Sequence, residues 1–143
     1  MSDAPTPPPR PASGAREGTN RLVAAVSCAV QALALFGFAV FYVYELSIGE
    51  GSDTGRVVMS AVLIALAGAG LGRLAWGWVR RAWWPRTPTI LWNGLMLPVG
   101  YSVLQAGTPL VGWAVLVVAV VTLVAALRTP PRQPDDPQEQ QPA

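Results

Sequence analysis

Four long, mostly apolar stretches limit what this chain can fold into. They cover residues 22–44, 57–79, 89–105 and 110–127, and Arg73 is the one charged residue within them. A helix of about 20 apolar residues is long enough to cross the hydrocarbon core of a membrane, which is roughly 30 Å thick. The chain is 13% charged, whereas soluble domains average about 25%. The sequence therefore predicts an all-α membrane protein, built as a bundle of four transmembrane helices.

The stretch between the second and third apolar runs sets the orientation of the others. Residues 76–92 hold five of the six tryptophans and three of the ten arginines. Tryptophan favours the membrane–water boundary, and arginine favours the cytoplasmic side of it. We interpret this stretch as a cytoplasmic turn between two helices. Its expected contacts with lipid or with the membrane interface are Arg80, Arg81, Trp83, Trp84 and Arg86.

The arginines are distributed unequally between the two sides of such a four-helix arrangement. One side would carry eight of them, and the other would carry only Arg56. An excess of basic residues in short loops marks the cytoplasmic side. This asymmetry predicts a multi-pass protein of the plasma membrane with both termini in the cytoplasm. The exceptional Arg73 lies one turn before Trp76, where its long side chain can extend to the headgroups.

Polar, proline-rich segments flank the apolar part of the chain. Residues 1–20 contain five closely spaced prolines, and residues 129–143 are rich in proline, glutamine and aspartate. Neither segment has enough apolar side chains to form a core. We expect two disordered cytoplasmic tails around a transmembrane domain at residues 21–128.

Several residues inside the apolar stretches are candidates for helix packing. Gly68 and Gly72 stand four apart in a run of small residues, a spacing that lets two helix backbones approach closely in lipid. Gln31 is the strongly polar residue in the middle of the first stretch and is expected to form a hydrogen bond between helices. Pro98 removes a backbone donor and is expected to kink the third helix. Because that helix is short and contains Asn93, we expect its neighbours to hold it in place.

The residue types needed for chemistry are scarce. The chain has no histidine and no lysine, and its single cysteine is Cys28, which we expect to be a buried thiol. Without these residues the usual catalytic bases and metal-ligand sets cannot be assembled. The arginines lie at the ends of apolar runs and form no basic face for nucleic acid. The sequence therefore predicts no enzyme, and no catalytic, cofactor or metal site.

Residues 80–118 carry a family resemblance. Their sequence, RRAWWPRTPTILWNGLMLPVGYSVLQAGTPLVGWAVLVV, combines a basic Trp/Pro turn, an L-x-x-L-P-V-G helix and a Q-x-G outer turn. This pattern resembles small four-helix integral membrane proteins of actinobacteria, which have no assigned activity. The resemblance implies a bacterial four-helix membrane protein and brings no catalytic residues.

Two classes of function remain open on the sequence. The leading hypothesis is a non-enzymatic accessory or scaffold protein, with membrane lipid, a membrane protein complex or a second copy of itself as partner. The alternative is a small transporter or channel, as a homodimer, that uses Gln31, Asn93 and the kink at Pro98. A phage holin fits less well because the final tail is acidic and proline-rich.

Overall fold

The computed structural model describes residues 12–48 and 54–130, and these residues form four α helices and no strand. The helices are α1 (Ala12–Ser47), α2 (Thr54–Val79), α3 (Arg86–Gln105) and α4 (Pro109–Arg128). The all-helical prediction is confirmed. The predicted disorder of the tails concerns mainly residues 1–11 and 131–143, which lie outside the described residues.

The first helix begins earlier than the sequence indicates. α1 starts at Ala12, so the expected disordered tail is wrong for residues 12–20. The prolines end at Pro11, and beyond it nothing in the composition prevents a helix. Thr19 adds a local bond, because its Oγ1 donates to the Ala15 carbonyl at 3.1 Å. At 36 residues, α1 is about 54 Å long, which exceeds a hydrocarbon core of roughly 30 Å.

Three helices, not four, are long and apolar enough to cross a membrane. They are Ala15–Ser47 within α1, Thr54–Val79 and Pro109–Arg128. The prediction of four such helices is therefore wrong by one, because α3 does not meet both conditions. α3 has 20 residues, so its length suffices, but polar residues such as Asn93 and Gln105 make it less hydrophobic. A crossing by α3 has to depend on its partners in the bundle.

The helices form two hairpins. α1 packs chiefly on α2, α3 packs chiefly on α4, and a smaller α1–α4 contact joins the two pairs. The start of α1, the α2–α3 turn and the end of α4 meet around one pocket, which is lined by Arg21, Arg81, Arg86 and Thr129, among others. We call this part of the molecule the arginine end. The described bundle therefore begins and finishes at the same end.

Small residues dominate the centre of the bundle. The buried core cluster combines Ala24, Ala25, Cys28 and Ala32 of α1 with residues of α2 and of α4, namely Leu71, Leu74, Ala75, Trp78, Ala125 and Ala126. Small side chains allow close helix contact, which replaces the hydrophobic effect as the source of stability in lipid. The predicted burial of Cys28 is confirmed, because its exposed fraction is 0%.

The outer surface of the bundle is strongly apolar. Leu110 is 84% exposed, Leu91 74% and Leu33 71%, and many valines and phenylalanines lie beside them. Water-soluble monomers rarely expose so many large apolar side chains. Together with the three long apolar helices, it indicates a protein embedded in a membrane.

Candidate functional site: the polar network and the arginine end

A set of hydrogen-bonded side chains lies between the two hairpins. Gln31 of α1 donates through Nε2 to Asn93 Oδ1 of α3 at 3.1 Å, with a longer contact of 3.5 Å to Thr122 Oγ1 of α4. Its Oε1 accepts a bond from Trp92 Nε1 at 3.0 Å. Gln31 therefore forms side-chain hydrogen bonds between helices, and its role in helix packing stays a prediction. One amide connects three helices.

The same set of bonds continues to α2. Asn93 Nδ2 donates to the Thr89 carbonyl at 2.9 Å, and Trp78 Nε1 donates to Thr89 Oγ1 at 3.0 Å. We call these six residues (Gln31, Trp78, Thr89, Trp92, Asn93 and Thr122) the polar network. Every buried side-chain nitrogen and oxygen within the described part of the chain has a partner. Such a network specifies one arrangement of helices, because an unpaired polar group in a low-dielectric interior is costly.

Two threonines of the network also donate hydrogen bonds to backbone carbonyls of the preceding turn. Thr122 Oγ1 donates to the Val118 carbonyl at 2.6 Å, as threonine commonly does in membrane helices. Thr89 Oγ1 makes the same kind of bond to the Pro85 carbonyl at 2.6 Å. Thr89, Asn93 and Thr122 are all 0% exposed. These bonds explain how α3 keeps polar residues inside the bundle despite its lower hydropathy.

A cavity of about 300 Å³ adjoins the network. It lies between α1, α3 and α4, with one residue of α2 at its wall, and Gln31 and Trp92 form part of its lining. The rest of its lining is almost entirely apolar, and it includes Phe38, Leu71 and Met96. The polar atoms of Gln31 and Trp92 already bond to each other or to neighbours. The cavity therefore presents little polar chemistry to a guest molecule.

The α2–α3 turn folds back through a Schellman motif. Ala82 N–H donates to the Gly77 carbonyl at 3.0 Å, and Arg81 N–H donates to the Trp78 carbonyl at 3.2 Å. Arg81 has a φ of 59° and is the non-glycine residue with positive φ among the described residues. Glycine is the usual residue at this position, and a side chain here costs roughly 1–2 kcal/mol. An arginine is therefore present at a position where it lowers stability.

The tryptophans of the turn take different environments. Trp83 is 64% exposed, as an interfacial residue should be. Trp84 instead packs inward, and a Cβ built on Gly77 would lie 3.0 Å from its ring. This close approach was not evident in the sequence, because it joins a helix interior to a turn seven positions away. Gly77 is the residue that makes room for the turn to lie against α2.

Two arginines, Arg73 within α2 and Arg80 just after its end, rest on aromatic rings. The Arg80 guanidinium lies 4.7 Å from the centre of the Trp76 ring, and that of Arg73 lies 5.7 Å from the centre of the Trp84 ring. Cation–π contacts of this kind contribute about 0.5–1 kcal/mol at exposed sites. Arg73 thus extends toward the arginine end, in the direction that the sequence predicts.

Arg86 joins the start of α3 to the end of α4. Its Nε donates to the Ala126 carbonyl at 3.2 Å and its Nη2 to the Leu127 carbonyl at 3.4 Å. Carbonyls at a helix C-terminus lack partners within the helix and carry partial negative charge. Arg86 is therefore a structural cap as well as an expected interfacial residue.

The two glycines predicted to pack have different surroundings. A Cβ on Gly68 would lie 3.4 Å from the Ala32 carbonyl oxygen of α1, and one on Gly72 would meet nothing within 4 Å. The structure thus places Gly68 in the α1–α2 contact and leaves Gly72 out of any close contact within the chain.

α3 continues through Pro98, where Ser102 Oγ donates to the Pro98 carbonyl at 2.9 Å. The expected kink angle at Pro98 stays a prediction.

The tightest helix contacts occur between α3 and α4. A Cβ on Gly112 would lie 2.7 Å from Leu104 Cγ and 2.8 Å from the Leu104 backbone nitrogen. A Cβ on Gly100 would lie 2.8 Å from Leu116 Cγ. Both contacts flank the turn at 106–108 and were missed from the sequence, because a single glycine in a helix carries no signal of its neighbour. They hold the second hairpin together at the end opposite the arginines.

Within residues 12–48 and 54–130, no group of three or more potential metal ligands comes together. Comparisons with protein families, with curated proteins and with solved structures found no match to this chain.

Proposed function

We propose that the protein is a non-enzymatic accessory or scaffold subunit of the plasma membrane, which acts by helix packing and by contacts at the membrane interface. The observation that carries this proposal is that, among the described residues, every buried side-chain nitrogen and oxygen has a hydrogen-bond partner within the protein. Polar groups that hydrogen-bond between helices stabilise the bundle. Because they are already paired, few of them are available to bind or activate a substrate.

The arrangement of α2 supports a role in binding another membrane protein. α2 packs substantially on α1 alone. Gly70 meets nothing within 4 Å, and Leu63 and Leu66, which lie on the same side of the helix, are 59% and 64% exposed. A partner helix could approach this face closely, because small residues let backbones come together. The proposed partner is a different subunit or a second copy of this chain.

The proposed topology has four crossings, with both termini in the cytoplasm. The common location of the start of α1 and the end of α4 supports an even number of crossings. α3 would cross because its polar residues are sheltered by the network, and at about 30 Å its 20 residues match the hydrocarbon core. The basic character of the arginine end supports its cytoplasmic placement.

Co-purification in mild detergent tests the proposed function. The full-length chain should recover a membrane protein partner, or a second copy, in a fixed ratio. Gly70→Ile should abolish recovery, because Gly70 is exposed on this face of α2 and its Cβ position has nothing of this chain within 4 Å. The ratio is measured by quantitative mass spectrometry of the purified complex.

Gly94→Ile is the matched control, since Gly94 is also helical and its Cβ position is also without a neighbour within 4 Å. Recovery should be unchanged in this variant. A chain that purifies alone as a monomer under these conditions would contradict the accessory role. Equal loss in both variants would contradict the use of the α2 face.

The second candidate is a small transporter or channel. The cavity of about 300 Å³ beside Gln31 and Trp92 favours it. Flux through reconstituted liposomes tests this candidate, and it should fall when Gln31 or Asn93 is replaced. Flux that does not depend on either residue would remove them from any transport pathway.

A further inference from the structure

The arginine end contains a cleft with two connected parts. The inner part has a volume of about 30 Å³ and is lined by Arg21, Trp78, Arg81 and Arg86, among others. This is space for one water-sized group. The outer part is a groove of about 200 Å³, and Arg21, Trp78 and Arg81 line it as well. These three residues therefore stand where the two parts meet.

The inner part of the cleft is positively charged. Three arginines and one carboxylate, Glu17, line it, which leaves a formal charge of +2. Arg86 uses two of its N–H groups on the α4 carbonyls, and a guanidinium has five N–H donors. Glu17 lies one turn before Arg21 on α1, at the α1 side of the cleft. The lining of the outer groove includes Arg21 and Arg81 but not Glu17, so an anion placed in the groove meets two arginines.

The groove is amphipathic. Beyond the arginines, its wall is formed by Leu22, Ala25 and Val79, which belong to the candidate membrane spans of α1 and α2. A free phosphate ion would use the arginines and gain nothing from this apolar wall. A phospholipid would use both, because its phosphate and its acyl chains are joined through glycerol.

Arg81 supplies a second line of argument. Its left-handed backbone would be adopted more easily by glycine, yet the residue is an arginine that lines both parts of the cleft. The charge at this position is thus present at the expense of stability. A charged ligand would compensate for that loss.

We propose that this cleft binds one anionic phospholipid, with its phosphate between Arg21 and Arg81 and its apolar part along Leu22, Ala25 and Val79. The proposal deepens the proposed function, since it rests on the arginine end lying at the level of the lipid headgroups. Basic pockets between membrane helices bind anionic headgroups by this chemistry.

Lipid titration of the purified, delipidated full-length chain, followed by native mass spectrometry, tests the proposal. Phosphatidylglycerol should occupy one saturable site, whereas phosphatidylcholine and inorganic phosphate should not. Arg81→Gly should weaken phosphatidylglycerol binding about fivefold, because each arginine near a headgroup contributes about that factor. Its unfolding temperature should be equal to or above that of the unmodified chain, so weaker binding could not be attributed to misfolding.

Arg56→Gln is the control, since it removes one arginine from the opposite end of α2 and should leave the affinity unchanged. Arg21→Gln should weaken binding as Arg81→Gly does. Unchanged affinity in Arg81→Gly, equal weakening in Arg56→Gln, or equally tight binding of inorganic phosphate would each overturn the proposal. Because the titration uses the isolated chain, its outcome is independent of whether a protein partner is recovered.

Discussion

Replacing Gly112 by alanine should destabilise the protein by about 2–3 kcal/mol, the upper part of the range for overpacked interiors. The added Cβ would lie 2.8 Å from the backbone nitrogen of Leu104. A backbone atom within a helix cannot rotate away as a side chain can, so α3 and α4 would have to separate. The free energy of unfolding, measured in mixed detergent micelles, reports this change.

Two alanine substitutions on α3 serve as comparisons. Gly94→Ala should be neutral or should stabilise by about 0.5–1 kcal/mol, because nothing lies within 4 Å of its Cβ position. Gly100→Ala should fall between the two, since its nearest neighbours are the side chains of Leu116 and Val115. If Gly112→Ala has the same free energy of unfolding as Gly94→Ala, the close contact between α3 and α4 at Gly112 does not exist.

Breaking the polar network should have the second large effect. Asn93→Leu removes the acceptor of Gln31 Nε2 and the donor to the Thr89 carbonyl, and a buried group left without its partner costs about 1–3 kcal/mol. Gln31→Leu should destabilise by a similar amount, because Trp92 Nε1 then loses its acceptor. Both values are measured by the same unfolding experiment.

The double variant separates the bond between the two residues from other effects of substitution. Gln31→Leu with Asn93→Leu should cost less than the sum of the single changes, by about 0.6–1.7 kcal/mol, as for other hydrogen bonds between membrane helices. Gln105→Leu is the control for the change of amide to leucine, because Gln105 is exposed. Strict additivity would show that Gln31 and Asn93 do not interact.

The existence and approximate limits of the helices could be predicted because they depend on local composition. Apolar stretches at residues 57–79 and 89–105 finish where α2 and α3 finish. Gln31 could be identified as an interhelical residue because a lone amide in an apolar run needs a partner in lipid. The start of α1 at Ala12 could not be predicted. Residues 12–20 are mostly small or polar, so their composition resembles that of a disordered tail.

The partners in the bundle could not be predicted, because they depend on contacts between distant parts of the chain. Gln31 and Asn93 are 62 positions apart, and nothing local links them. The same reason explains the glycines. Gly68 and Gly72 have the same spacing signal, but only Gly68 faces a neighbouring helix, whereas Gly112 has the tightest contact without any signal.

The most direct test of the account concerns the number of crossings, which α3 decides. Fusions of a reporter that is active only in the cytoplasm, and of one that is active only outside it, are placed at each terminus of the chain. The account predicts cytoplasmic activity at both termini, because α3 crosses with its polar residues sheltered in the network. Termini on opposite sides of the membrane would show an odd number of crossings and would contradict the account.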